Sequence, residues 1–312
     1  MRVSLLLVAA AVPLLACGKL KERIQLLRAP PPPVVAAAPV APPPAPAPPP
    51  PPADPYQHVD VVLHGPLEKE LSAKVAPGTA PALALVMQRL SLWWMSPGEE
   101  RNGDEIRAVY ELPAGHEPLV RALRYTSLKY GKTFTAYYYQ PAGAPFGRYF
   151  TEDGTELEER LKDAPVANYE QVTSFLKDGR HHKGVDFKCP VGTPVVMPFD
   201  GTLVKKNWNW RGNGNCLEFT DDHTGHHAKF LHLSVLPDTL KPGQHFKLGQ
   251  QVALSGNTGH TTAPHLHYQL ESSSGAILDP FKVHPTYRTK LPDADLDGFK
   301  KVAADLDASL AR

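Results

Sequence analysis

SGNTGHTTAPHLHYQL, residues 255–270, closes on an alternation that sets His265 and His267 one residue apart. In an extended strand, side chains at i and i+2 share a face, so the two imidazoles point the same way. Upstream, HHKGVDF (181–187) offers His182 and Asp186 at i and i+4. That spacing shares a face on a strand or a helix, and Gly184 with β-branched Val185 favours the strand. Two imidazole nitrogens and one carboxylate oxygen make a three-ligand set that leaves one tetrahedral position open to water, the pattern of a hydrolytic zinc rather than a structural one.

Around these two segments the chain is short-stranded. GVDFKC, TPVVMPF, GTLVKKN, NCLEFTD, HAKFLHL, QVALSG and HLHYQLE are separated by Gly, Pro and Asn. This punctuation, at about 8–12 residues, predicts an antiparallel β-sheet or sandwich over residues 166–285. Residues 56–165 read as a small α+β domain, helical over 67–75 and 80–95 and then stranded in EIRAVYEL, VRALRYTSL, FTAYYYQ and GRYFTEDG. Leu83, Val86, Met87, Leu90, Trp93 and Trp94 recur at helical spacing, so the two tryptophans are expected in a core. Residues 286–312 are expected to form a C-terminal tail with a short helix. The fold class is therefore mainly β, with a small α+β domain in front.

The chain opens with one Arg, an apolar run and a small residue before Cys17, which reads as an export signal over residues 1–17, too short to span a bilayer. Residues 18–55 read as a disordered linker: the stretch 30–55 holds 15 of the 34 prolines. As polyproline II it reaches roughly 80 Å. Export to an oxidising compartment makes Cys189 and Cys216 candidates for a disulfide, with two buried free thiols as the alternative. A formal charge of +1 gives no electrostatic case for a nucleic-acid partner.

HHKGVDF, PVGTPVVMPFDGTLV, GNGNCLEF, FLHLS, SGNTG and HLHYQL, in this order, resemble the LytM or lysostaphin-type zinc metallopeptidases of bacterial cell walls, over about residues 172–282. GDEIRAVYE, YYYQPAG, RYFTEDGTELEERLKDAPV and VTSF resemble the N-terminal module of the murein endopeptidases of Gram-negative envelopes. Leu14-Leu15-Ala16-Cys17 resembles a lipobox, which implies a lipid at Cys17 and, with Gly18 next, an outer-membrane lipoprotein on the periplasmic side of the envelope.

The resemblance implies one zinc per chain, held by His182, Asp186 and His267, with His265 as the first His of HxH and His232 as the His of a Tyr-Ala-His-Leu segment that here reads Phe-Leu-His-Leu. Ala263 stands where the family often has glycine. The implied activity is hydrolysis of peptide crosslinks in peptidoglycan, at the D-alanyl to diaminopimelate bond, with a glycine crosslink or a non-wall protein as the other substrates the residues leave open. With no HExxH glutamate in the sequence, His265 is expected to act as general base and acid, and His232 to orient water or stabilise the oxyanion. A noncatalytic relative that binds the wall and activates amidases is the alternative, and its mark would be missing ligands. A third reading has the first domain covering the cleft, with Glu68, Glu70 or Glu111 reaching the metal; no regulatory protein partner is specified. For His181, His223, His226, His227, His245 and His260 an ordinary structural role is expected.

Overall fold

The computed structural model describes residues 56–312 except 177 and 179–181. The expected export signal, Cys17, the proline-rich arm and His181 lie outside the described residues. All described residues fall within a single compact unit.

The first sheet is an antiparallel meander of β1 (Gln57–Val62), β2 (Glu105–Glu111), β3 (Leu119–Ser127), β4 (Lys132–Tyr139) and β5 (Arg148–Phe150). Both of its faces are covered, because alternate rows are both apolar. Ala108, Leu123 and Ala136 lie side by side and pack under Leu83, Met87 and Leu90 of α2 (Ala80–Ser91), with α1 (Leu67–Ser72) adding Leu71. The adjacent row, Val109, Ala122, Tyr137 and Phe150, packs against α3 (Asp293–Leu310) through Phe299, Leu306 and Leu310. Asp307 of this helix accepts a hydrogen bond from Tyr137 at 2.8 Å and pairs with Arg124 at 2.6 Å. The expected tail with a short helix is thus an 18-residue helix that completes the first sheet. Its stripe Leu296, Phe299, Ala303, Leu306, Leu310 has helical spacing, but acidic and basic residues crowd the intervening positions, and the surface it covers lies far earlier in the chain.

The helix expected over 80–95 stops at Ser91, and both tryptophans sit in the turn beyond it. Trp94 stacks on Phe134 at 5.3 Å. Trp93 meets Phe175 and Phe281 edge-on at 4.8 and 5.4 Å, so it joins the core of the first sheet to that of the second.

The second region contributes β6 (Arg160–Leu161), β7 (Gln171–Ser174), β8 (Val185–Lys188), β9 (Pro194–Val196), β10 (Gly201–Lys206), β11 (Asn215–Asp221), β12 (His227–Leu233), β13 (His245–Phe246), β14 (Gln251–Leu254), β15 (His265–Glu271), β16 (Ile277–Leu278) and β17 (Thr286–Tyr287). Eight of these form an antiparallel sheet in the order β13-β10-β11-β12-β15-β8-β7, with β16 beside β15. The ribbon β14-β9 supplies Val195, Val252 and Ala253 to a core shared with Phe187, Phe219, Phe230 and Tyr268. Cys189 and Cys216 are buried free thiols. No bridge joins them: the Cys216 thiol is engaged by the backbone of Trp208 at 3.4 Å, and burial pushes both thiols up from their ordinary pKa.

Candidate metal centre

Register in the second sheet decides which side chains meet. β8 and β15 pair so that Asp186 lies directly opposite His267, Phe187 opposite Leu266 and Val185 opposite Tyr268. Leu266, Tyr268, Phe187 and Val185 are all buried in the core, so alternation places Asp186, His265 and His267 together on the other face. His182 enters from the segment just before β8. Its Nε2 lies 3.0 Å from Nδ1 of His267 and 3.2 Å from Oδ1 of Asp186, and Nδ1 of His267 lies 2.8 Å from that same oxygen. Among the described residues this is the one group of three or more His, Cys, Asp or Glu whose ligand atoms fall together, all within 4.8 Å.

The donor set fits a divalent zinc. The tautomer of His182 is set by Nδ1, which donates to the carbonyl of Phe175 at 3.0 Å with the Ser174 hydroxyl equally close, so the Nε2 lone pair faces the triangle. Tetrahedral ligands about 2.0–2.2 Å from zinc stand roughly 3.3 Å apart, so the three atoms need to spread by only a few tenths of an ångström. Nε2 of His267 is buried with no hydrogen-bond partner, which leaves Nδ1 as that ring's only engaged atom. Burial alone would raise the Asp186 carboxyl, but the imidazoles of His182 and His267 beside it outweigh burial and hold the group well below the carboxylate range, as an anionic ligand requires.

Two more imidazoles border the triangle. His265 donates from Nδ1 to the carbonyl of Ala263 at 2.7 Å, so its Nε2 is a free acceptor, 3.7 Å from Oδ1 of Asp186. His232 reaches the same place by an irregularity. Between Leu217 and Asn215 of β11, β12 runs from Phe230 to Leu233, one residue too many, and within this bulge His232 adopts φ +61°. Regular alternation would have sent it to the core face beside Phe230; the left-handed residue turns it instead toward His265, ring centroids 4.8 Å apart. Its Nδ1 donates to the carbonyl of Thr258 at 2.9 Å. Burial pushes its pKa down to about 4, so at neutral pH it too presents a bare Nε2. A neutral His232 in this tautomer accepts a hydrogen bond and has no proton for an oxyanion.

The remaining candidates fall elsewhere. Glu111 is paired with Arg121 at 2.9 Å, and neither it nor Glu68 or Glu70 joins the ligand group. His223, His226, His227, His245 and His260 stand outside it as well. Sequence reasoning missed the supports: Ser174 and the Phe175 carbonyl behind His182, Thr258 behind His232, and Gly184, where an added Cβ would lie 2.6 Å from the Tyr268 carbonyl and 2.7 Å from Nε2 of His267. Only Gly184 left a trace, as a glycine inside a strand-like segment.

The family model described as Peptidase family M23 matches residues 180–280, which hold all five of these imidazole and carboxylate groups. The chain is 30% identical over 225 residues to the peptidoglycan DD-endopeptidase ShyA of Vibrio cholerae, covering 68% of this chain and 50% of that protein. It is 40% identical over 97 residues to the glycyl-glycine endopeptidase ALE-1 of Staphylococcus capitis, covering 31% of this chain and 26% of that protein. The chain thus spans half or less of the length of these relatives.

Proposed function

Because the chain carries a peptidase family M23 domain over residues 180–280, we propose that it is a zinc endopeptidase that hydrolyses peptide crosslinks of bacterial peptidoglycan. The observation that carries this reading is the convergence of Nε2 of His182, Oδ1 of Asp186 and Nδ1 of His267, each backed by a fixed partner or a cross-strand position. These three residues would hold one zinc ion. When bound, zinc supplies Lewis acidity that polarises a carbonyl and makes water nucleophilic near neutral pH.

The protein's own contribution is proton management. His265, with Nδ1–H spent on Ala263, takes the proton of the attacking water at Nε2 and passes it to the leaving amine. His232, neutral and with Nδ1–H spent on Thr258, accepts a hydrogen bond at Nε2 and so aims that water. Thr258 fixes this arrangement by donating its hydroxyl to the Leu233 carbonyl at 2.7 Å. The noncatalytic reading needs a broken ligand set, and the set here is whole. We place the activity in the cell envelope, tethered by a lipid at Cys17. Among the described residues no helix is long and apolar enough to cross a membrane.

The test is incubation of zinc-loaded protein, and of His182→Ala, with purified sacculi. Wild type is expected to release muropeptides whose new ends are those of cut peptide crosslinks, and the variant none. Release by both proteins alike, or cleavage at glycan bonds, would sink the reading.

A further inference from the structure

Part of the support behind the ligand triad comes from outside the matched family domain. β7, at the edge of the second sheet, ends at Ser174, which pairs with Asp186, and Phe175 follows one residue past that last pair. Both residues precede the matched span 180–280. They nevertheless hold His182. Its Nδ1 lies 3.0 Å from the Phe175 carbonyl and 3.0 Å from the Ser174 hydroxyl, which spends its own proton on Asp178 at 2.6 Å. Two acceptors behind Nδ1 keep the imidazole proton there and the Nε2 lone pair turned toward Asp186 and His267.

Phe175 lies past the strand ladder, so its ring is what locates its backbone. That ring is gripped by Trp93, from the turn after α2, edge-on with centroids 4.8 Å apart and planes at 74°. Phe281, of the short helix Pro280–Val283, completes the trio, 5.4 Å from Trp93 and 6.4 Å from Phe175. Nε1 of Trp93 is buried and unpaired among the described residues, so the indole is seated by its ring edges and not by a hydrogen bond. An aromatic side chain held in one rotamer restricts its own φ and ψ, and ψ of residue 175 aims the carbonyl that meets His182. Trp94, next in the chain, stacks instead on Phe134 in the first core.

Resting on the zinc reading above, we propose that Trp93 is a positioning residue of the metal centre: through the Phe175 ring it holds the Phe175 carbonyl against Nδ1 of His182, so that the first sheet helps to set the ligand geometry of the second. The linkage is short, from indole to phenyl ring, from that ring to its own backbone carbonyl, and from the carbonyl to the imidazole. Loss of the indole frees the carbonyl, and with it the tautomer and tilt of His182. Partners behind a metal-binding histidine are worth about 10–100-fold in metal affinity. The Ser174 hydroxyl remains as a second acceptor, which puts the expected loss at the lower end of that range.

The test titrates the full chain and its variants Trp93→Leu, Trp93→Phe, Trp94→Leu and Phe175→Leu with zinc against a chromophoric chelator, and with cobalt(II), whose visible bands report ligand geometry. Trp93→Leu is expected to bind zinc about tenfold more weakly and to show altered cobalt bands, whereas Trp93→Phe, which keeps a ring edge on Phe175, recovers to within about threefold of wild type. Trp94→Leu removes apolar packing from the first core, so it is expected to lower the melting temperature and leave metal affinity and bands as in wild type. Wild-type affinity in Trp93→Leu, an equal loss in Trp94→Leu, or no recovery in Trp93→Phe overturns the proposal. Where Trp93→Leu does not fold, Phe175→Leu removes the same contact from the side of the edge strand, and wild-type affinity there overturns it equally. Metal uptake by none of the proteins, wild type included, would remove the zinc reading itself; uptake by all without difference would remove the positioning role alone.

Discussion

His265 and His232 each give their one imidazole proton to a backbone carbonyl, and this leaves two acceptor nitrogens beside the ligand triad. His265 is also a neighbour of the Asp186 carboxylate, its Nε2 3.7 Å from Oδ1. His265→Ala is expected to keep zinc and lose turnover by about 10²–10⁴-fold, the usual worth of a positioned base. Zinc stoichiometry and crosslink hydrolysis measured on one preparation check it; unchanged hydrolysis would remove His265 from the mechanism. Glu158 governs a pH effect of opposite origin. Burial raises its carboxyl from 4.5 to about 8, so the fold keeps a proton that the unfolded chain releases above pH 4.5. That stabilisation is full below pH 4.5 and is lost as pH rises through about 8, with a slope of up to about 1.4 kcal/mol per pH unit. Urea unfolding at pH 5 and 8 is expected to show the decline in wild type and a flatter profile in Glu158→Gln. The same decline in both proteins would assign it to another group.

At the scale of elements, the site is a product of strand pairing. β8 and β15 deliver Asp186 and His267 as cross-strand partners, and the bulge in β12 delivers His232 at the cost of one left-handed residue, about 1–2 kcal/mol. Gly184 stands where the approach to β8 runs against β15. A methyl there meets a carbonyl at 2.6 Å and the ligand imidazole at 2.7 Å, and neither is the far end of a flexible chain. Gly184→Ala is therefore expected to displace His267, weakening zinc binding by about 10–100-fold and lowering the melting temperature. Competition with a chelator measures the first effect; unaltered affinity would mean that the two strands yield without disturbing the ligand.

The whole molecule depends on a helix from the far end of the chain. α3 covers the row Val109, Ala122, Tyr137 and Phe150, which would otherwise face water, and Phe299 is its fully buried centre, edge-on to Tyr137, Tyr139 and Phe150. Phe299→Ala is expected to cost about 3–5 kcal/mol by removing that contact and leaving a void. Denaturant unfolding reads the loss, and a cost below about 1 kcal/mol would show that the first sheet stands without α3. Trp93 ties this sheet to the core of the second, so the loosening is expected to reach that core as well.

Most strands and the grouping of His182, Asp186 and His267 were legible in the residues, because both are local: alternation in HLHYQLE places two imidazoles on one face, and spacing in HHKGVDF sets a histidine and a carboxylate on one face as well. Resemblance then singled out His267 over His265 as the expected ligand, and it is His267 that groups with His182 and Asp186. Tertiary structure alone decided the rest, since each remaining feature depends on segments distant in the chain. Asp307 meets Arg124 and Tyr137 across the first sheet, Gly184 meets β15, buried Glu158 meets the N–H of Val172, and Cys189 and Cys216 are free thiols. A sequence records periodicity and composition; which unpaired group ends up facing which is settled only when burial forces the distant segments to share one core.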